Sequence, residues 1–203
     1  SIGGFYKDIE TYIQAFRQQI PYSQTGLPAS LLQGSDATVN DLFLVTSYKN
    51  TQGGPLKGVE VNYQQSLTFL PGFLTNLGVL ANYTYVDSDI VYCTNATCTT
   101  TTTRPMIALS KNSFSGTLYY EDSKFSIRTT GTYRSSFLTN VPAGVVGSDV
   151  QGNPSTFYVD AAAYYQLTPQ IRITLEAQNL TNEHNGYYVD SVRQDTLYDV
   201  YSG

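Results

Sequence analysis

Tryptophan is absent from this 203-residue chain, methionine and histidine occur once each, and cysteine twice. The lone His184 lies far from both cysteines in the sequence, so the about four ligands of a closed structural zinc site are not at hand. One histidine in the turn-rich stretch Asn182-Glu183-His184-Asn185-Gly186 does not make a catalytic cluster either. There is no Gly-Xaa-Ser-Xaa-Gly elbow, no phosphate-binding glycine loop and no paired-cysteine metal spacing. No catalytic, cofactor-binding or metal-binding residue is therefore assigned. Charge is scarce too: Asp, Glu, Lys and Arg make up 13% of the residues, about half the share usual in soluble domains. With 11 basic against 16 acidic side chains and a net charge of -5, no basic footprint exists for nucleic acid. Long apolar runs are missing as well, which excludes a membrane helix, and no signal-peptide pattern is present.

What the chain has is 25 Thr, 18 Tyr and 9 Phe, residues that favour strands. They are arranged with a period of two, segment after segment. Over residues 58–69, Val59, Val61, Tyr63, Leu67 and Phe69 oppose Glu60, Asn62, Gln64, Ser66 and Thr68. Leu77, Val79, Ala81, Tyr83 and Tyr85 oppose Gly78, Asn82 and Thr84, with Leu80 as a breach. Phe125, Ile127, Tyr133 and Phe137 oppose Ser126, Arg128, Thr130, Thr132, Arg134 and Ser136. The runs 114–121, 157–167 and 171–177 alternate in the same way.

Two architectures accommodate such strands. In a soluble sandwich the apolar face is a core, whereas in a membrane barrel it meets lipid and the polar face lines a wet lumen. Links over residues 71–76, 122–124 and 168–170 are short, and those over 93–104, 138–156 and 182–203 are long. Alternating short and long links are the asymmetry of an outer-membrane barrel, with short periplasmic turns and long extracellular loops. Tyr63, Tyr83, Tyr85, Tyr120, Tyr133 and Tyr165 on the apolar face suit an interfacial belt, although a sandwich also buries tyrosines by pairing their hydroxyls.

The run Gly54-Pro55-Leu56-Lys57-Gly58-Val59-Glu60-Val61-Asn62-Tyr63-Gln64-Gln65 is followed by Phe69-Leu70-Pro71-Gly72 and Asn82-Tyr83-Thr84-Tyr85-Val86-Asp87-Ser88. Then come Leu109-Ser110-Lys111-Asn112-Ser113, Phe125-Ser126-Ile127-Arg128, Tyr133-Arg134-Ser135, Tyr158-Val159-Asp160-Ala161 and Glu176-Ala177-Gln178-Asn179-Leu180-Thr181-Asn182-Glu183. In this order they resemble the late barrel strands of TonB-dependent outer-membrane receptors, and most closely the branch common in oligotrophic and plant-associated Proteobacteria. The resemblance implies an all-β, antiparallel transmembrane barrel. About seven of its about 22 strands are expected here, near residues 2–14, 56–70, 76–91, 106–121, 124–138, 156–167 and 170–180. Residues 1–203 are then the C-terminal portion of that barrel. The plug domain and the TonB-contacting segment with its TonB box are expected ahead of Ser1, and a final strand is expected to begin near Asp199 and continue past Gly203. An open seven-strand sheet leaves two edges unpaired in lipid, so the missing strands are expected in the parent protein.

The activity implied is energised import of a scarce solute, an oligosaccharide or a ferric siderophore-type ligand, through the outer membrane of a Gram-negative bacterium. The partners implied are outer-membrane lipid, the plug domain, the inner-membrane TonB complex and the solute, with no reaction catalysed on it. A passive porin without a plug is an alternative, and a secreted β-sandwich that stays monodisperse without detergent is another. If Ile127 faces lipid, Ile127→Glu is expected to block membrane insertion.

Cys93 and Cys98 frame four residues of an expected external loop, where an oxidising compartment favours a loop-clipping disulfide over two free thiols. The threonines at 99–103 are expected in a solvated, poorly ordered loop. Asp87 and Asp89, at the outer end of a strand, are candidates for a cationic or sugar ligand, although capping and solvation explain them equally well. Tyr158, Tyr187, Tyr188, Tyr198 and Tyr201 lie in or beside external loops, where aromatic faces suit sugar rings or aromatic chelators and also simple loop packing. Glu60, Arg128, Arg134, Asp160, Arg172 and Glu176 are expected to face the lumen and to pair between adjacent strands, holding wall or plug more than substrate. Residues 15–41 read as a long external loop carrying part of the ligand entrance, with 42–45 extending the next strand.

Overall fold

Period-two alternation produces strands, and in the computed structural model of the chain nearly every alternating segment is one. The structure describes residues 1–95, 97–143 and 147–201. In chain order the strands are β1 (Ile2–Pro21), β2 (Leu42–Ser66), β3 (Leu77–Ser88), β4 (Ile90–Cys93), β5 (Thr101–Arg104), β6 (Asn112–Glu121) and β7 (Phe125–Arg134). They continue with β8 (Phe137–Asn140), β9 (Gln151–Asn153), β10 (Thr156–Thr168), β11 (Ile171–Ala177), β12 (His184–Val189) and β13 (Asp195–Tyr201). Among the described residues three sheets form: β1-β2-β3-β6-β7-β10-β11, β13-β12-β9-β8 and the hairpin β4-β5. The chain divides into two units. One holds Ser1–Lys7, Leu56–Ser88 and Pro105–Gly203, and the other Asp8–Pro55 and Asp89–Arg104.

In the first unit the large sheet is an antiparallel meander from β2 through β11. Its register brings the apolar positions into common rows. Val61, Tyr83, Phe114, Tyr133 and Phe157 lie side by side across five strands, and Tyr120, Ile127, Ala163 and Leu175 form a second row towards the other end. Between them lie Val79, Leu118, Thr129, Ala161 and Ala177. This face is not covered: Leu118 is 54% exposed, Ile173 55% and Leu175 72%. A sandwich would bury those side chains under a second sheet, and the described residues form none over this face.

Three connections at one end of the large sheet are short, and each satisfies its own backbone. Asp122 Oδ1 accepts from the N–H groups of Lys124 and Phe125, both at 2.8 Å. Thr168 Oγ1 accepts from Gln170 and Ile171 at 3.3 and 3.1 Å. Between β2 and β3 the chain turns through a 3-10 helix, Gly72–Asn76, so Leu67 and Phe69 belong to the turn and not to the β2 face.

Several expected segments end elsewhere. β7 stops at Arg134, and Phe137 begins β8 of the small sheet, because Ser135 donates its N–H to Asn112 O and the Arg134 guanidinium stacks 3.8 Å from the centre of the Phe137 ring. β6 starts at Asn112 and not near Met106, since residues 105–111 turn through Ala108 at φ 63°. The long links expected over 138–156 and 182–203 carry β8, β9, β12 and β13. Asp199 lies in β13 opposite Gly186 of β12, so Asp199–Tyr201 is an outer strand of the small sheet and not the start of another strand of the large one. Gly152 is required where β8, β9 and β12 converge. A Cβ there would come within 2.6 Å of Phe137 O and of the Tyr188 ring.

In the second unit, the connection expected over 15–41 is shorter than expected: β1 runs on to Pro21, the link over 22–41 carries two 3-10 turns, Tyr22–Gln24 and Ala29–Leu32, and β2 starts at Leu42 as the 42–45 extension anticipates. Phe16 and Tyr22 are buried apolar side chains there, and Gln14 is buried with them. Ser23 and Tyr22 donate their N–H groups to Val39 O and Asp41 O, closing the connection. Tyr22 packs edge-on against Phe43, with ring centres 5.2 Å apart. The run expected to be disordered is also ordered: Thr101, Thr102 and Thr103 pair with Cys93, Tyr92 and Val91. Ile90 and Tyr92 have no exposed surface, and Tyr92 meets Tyr12 edge-on at 5.5 Å.

Candidate functional site

Residues paired across antiparallel strands point to the same face. Glu60 follows Thr84, Ser113 and Arg134 in one row; Asp160 sits opposite Thr130; Arg128 and Glu176 both sit opposite Ala162; and Arg172 sits opposite Gln166. Glu60, Arg128, Arg134, Asp160, Arg172 and Glu176 therefore share the face opposite the bare apolar rows. Among the described residues no ion pair joins them, contrary to the expected pairing. The register is the reason, because Ala162 separates Arg128 from Glu176 by a whole strand.

Each charge finds other company or none. Arg134 donates from Nε to Ser110 Oγ at 2.6 Å and from Nη2 to Ala108 O at 2.8 Å. Arg172 donates to Gln166 Oε1 at 3.0 Å and stacks 4.4 Å from the centre of the Tyr164 ring. Asp160 accepts from the N–H of Asn179 at 2.8 Å. Arg128 and Glu176, both exposed, have no hydrogen-bond or ion-pair partner among the described residues. They flank small Ala162 between two shallow grooves of about 160 and 290 Å³.

The small sheet assembles the aromatic candidates. Tyr187 and Tyr198 are cross-strand neighbours with ring centres 4.7 Å apart. Tyr188, on the next position, is buried, and burial pushes its hydroxyl above the ordinary tyrosine range. Tyr158 donates its hydroxyl to Asn185 Oδ1 at 3.1 Å. A cleft of about 250 Å³ is lined by Glu183, His184, Tyr187, Tyr188, Thr196 and Asp199, among others. In it His184 Nδ1 lies 3.2 Å from Asp199 Oδ2. Beside the sheet, the N–H groups of Arg193 and then Val192 hold the Asp190 carboxyl below its usual value, bracing the β12–β13 turn. The Tyr201 side chain lies outside the described residues.

His184 and Glu183 entered this cleft without a signal of their own in the sequence. Only the β12–β13 pairing brings Asp199 to His184, fifteen residues earlier. Sequence reasoning treated the histidine alone because hairpin register is invisible there.

Cys93 and Cys98 are joined by a disulfide, with Cα atoms 4.8 Å apart. Gln14 holds the start of that loop as a backbone would. Its Nε2 donates to Cys93 O at 2.8 Å, and its Oε1 accepts from Cys93 N at 2.9 Å. Asp89 is exposed and donates its N–H to Pro55 O. Gly54 permits that close approach, since a Cβ there would collide with Asp89 O. Asp87 lies elsewhere: it pairs across β2–β3 with Lys57 and shares a face with Tyr83 and Tyr85, away from Arg128 and Asp160.

The family model described as "TonB dependent receptor-like, beta-barrel" matches residues 1–180. No curated protein matches this chain, and no solved structure does.

Proposed function

The chain belongs to the TonB-dependent receptor β-barrel family, and from that premise we propose that it is the C-terminal portion of an outer-membrane barrel that imports a scarce solute. The observation that carries this reading is the two-faced sheet. Its apolar face is exposed, and on β7 Phe125 and Tyr133 stand eight residues apart. That is about 27 Å along a strand, or about 20 Å after the usual tilt of about 40°, of the order of the apolar band of an outer-membrane barrel. The opposite face carries Glu60, Arg128, Arg134, Asp160, Arg172 and Glu176, as a wet lumen needs. In this reading Arg128 and Glu176, left without partners, meet the plug domain, and the TonB complex drives plug rearrangement through a segment outside these residues. No bond of the solute is made or broken.

The cleft of the small sheet is the ligand surface we favour, with Tyr158, Tyr187, Tyr188 and Tyr198 around it. Its carboxylates, Glu183 and Asp199, repel an anionic ferric chelate and suit a neutral oligosaccharide, whose hydroxyls donate to carboxylate oxygens and whose rings stack on tyrosine. The test is uptake of labelled oligosaccharides and ferric siderophores by cells with and without the gene for the full-length protein. Gene-dependent sugar uptake that a protonophore abolishes is expected. Uptake indifferent to the protonophore would establish a passive porin instead.

A further inference from the structure

At the long-connection end of the large sheet, on its apolar side, three charged groups meet. Lys57 Nζ lies 3.7 Å from Asp87 Oδ2, and Lys111 Nζ lies 2.9 Å from Asp87 Oδ1. The chain has five lysines, and two of them converge on this one carboxylate. Lys57 and Asp87 continue the rows of Val59 and Tyr85. Lys111 reaches the same side, its Nζ 5.4 Å from the centre of the Tyr85 ring. The other side of β3 is closed at this end: Val86 and Ser88 are buried, and Met106 donates its N–H to Ser88 Oγ. These lysines thus belong to the apolar side and are not placed to meet a solute on the polar one.

The charges do not balance. Two ammonium groups, 59% and 56% exposed at their side chains, share one carboxylate that is 29% exposed, which leaves one net positive charge and unused N–H donors. Below them lie Tyr83, half-exposed with its hydroxyl donated to Asn112 Oδ1 at 2.8 Å, and the apolar rows. A cationic rim above tyrosines and an apolar band matches the layering of a bilayer, in which an anionic headgroup sits just above the interfacial aromatics.

We infer that Lys57 and Lys111, spaced by Asp87, form a docking point for the phosphate of a phosphorylated lipid headgroup in the leaflet next to the long connections. This rests on the membrane role proposed above. Asp87 has a defined part: it holds the two ammonium groups together and, by neutralising one of them, keeps the site from binding anions without selection.

The experiment uses the natural full-length protein in phosphatidylcholine vesicles, with insertion scored first by protease protection and heat-resistant migration. Binding of fluorescent lipid A is then measured. Exchanging both lysines, Lys57→Gln with Lys111→Gln, is expected to weaken binding roughly tenfold, and dephosphorylated lipid A is expected to bind wild type no better than this variant binds lipid A. The pair Lys57→Arg and Lys111→Arg is expected to retain binding, and Asp87→Asn to strengthen it. Equal lipid A binding by inserted wild type and the double Gln variant would overturn the inference and leave the membrane role standing. Competition by inorganic phosphate at equal concentration would also overturn it, by identifying a free-anion site. A wild-type protein that does not insert would overturn the membrane role and this inference with it.

Discussion

The two units put the same alternation to opposite uses. In the unit of Asp8–Pro55 and Asp89–Arg104, one set of side chains turns inwards, with Ile90 and Tyr92 fully buried and Gln14, Phe16 and Tyr22 buried as well, while Ile13, Leu42, Leu44 and Tyr48 stay exposed. In the large sheet the equivalent alternate positions, from Val59 to Leu175, stay open. The unit of Asp8–Pro55 and Asp89–Arg104 covers protein with protein, with a disulfide and a glutamine amide fixing the rim of its hairpin. The large sheet has strands that are paired edge to edge, and among the described residues no second apolar layer covers its face. Alternation reports that one face is apolar; it does not report what that face meets.

The difference can be broken most severely from the membrane side. Leu118 stands mid-strand on the bare face, and Leu118→Arg is expected to cost about 2–4 kcal/mol of membrane-inserted stability, read as lost heat-resistant barrel in a refolding titration. Ile127→Glu acts in the same direction with a smaller effect. Thr132→Arg, on the polar face of β7 opposite Tyr158, is expected to insert with wild-type yield. If Thr132→Arg is the damaging one, the faces are assigned the wrong way round.

A smaller effect is expected from the buried unit. Replacing both Cys93 and Cys98 with Ala opens a loop of only a few residues and should cost about 2 kcal/mol locally, seen as faster amide exchange across β4 and β5. Insertion of the large sheet should be unchanged. Loss of insertion in this variant would show that the two regions do not respond separately.

The smallest effect is at a short turn. The N–H of Lys124, then that of Phe125 and the Tyr120 hydroxyl, hold the Asp122 carboxyl below its ordinary value. With the folded value depressed, the contribution is present above the ordinary carboxylate pKa and disappears as pH falls through the folded one. Protection of the Lys124 and Phe125 amides should therefore decline at acid pH in wild type, and be low and flat with pH in Asp122→Ala. A pH-dependent profile surviving in Asp122→Ala would assign the effect to another group.

Much of the architecture was legible in the sequence because strand geometry is local. A residue such as Ile127 between Ser126 and Arg128 declares its face by parity alone, and six of the seven strands of the large sheet were found that way, β1 being expected only from the family resemblance, with Lys57-Gly58-Val59-Glu60 and its successors marking the family. The extension of β1 past Gln14 was misread because Pro21, Gly26, Pro28 and Gly34 mark the stretch from Ala15 onward as a connection. Gln14 is in fact buried, with its amide taking the place of a neighbouring strand. β9, β12 and β13 were likewise read as loops and β8 partly as the end of the strand before it, since three to seven residues, with Gly152 inside β9 and Gly186 inside β12, carry too short a pattern to separate strand from link. The charged residues share one face, as parity gives, but no ion pair joins them among the described residues, because a partner depends on register between strands and parity within one strand does not contain it.

The sequence by itself determined that this chain makes antiparallel strands with one apolar and one polar face, since side-chain direction in a strand follows from its position along the chain. Only the tertiary structure decided which residues stand side by side. Register placed Ala162 between Arg128 and Glu176, brought Asp199 to His184, and set Lys57 and Lys111 on either side of Asp87 at the rim of the apolar face. Register is a long-range property, set by hydrogen bonds between strands many residues apart, and no window of sequence holds both partners.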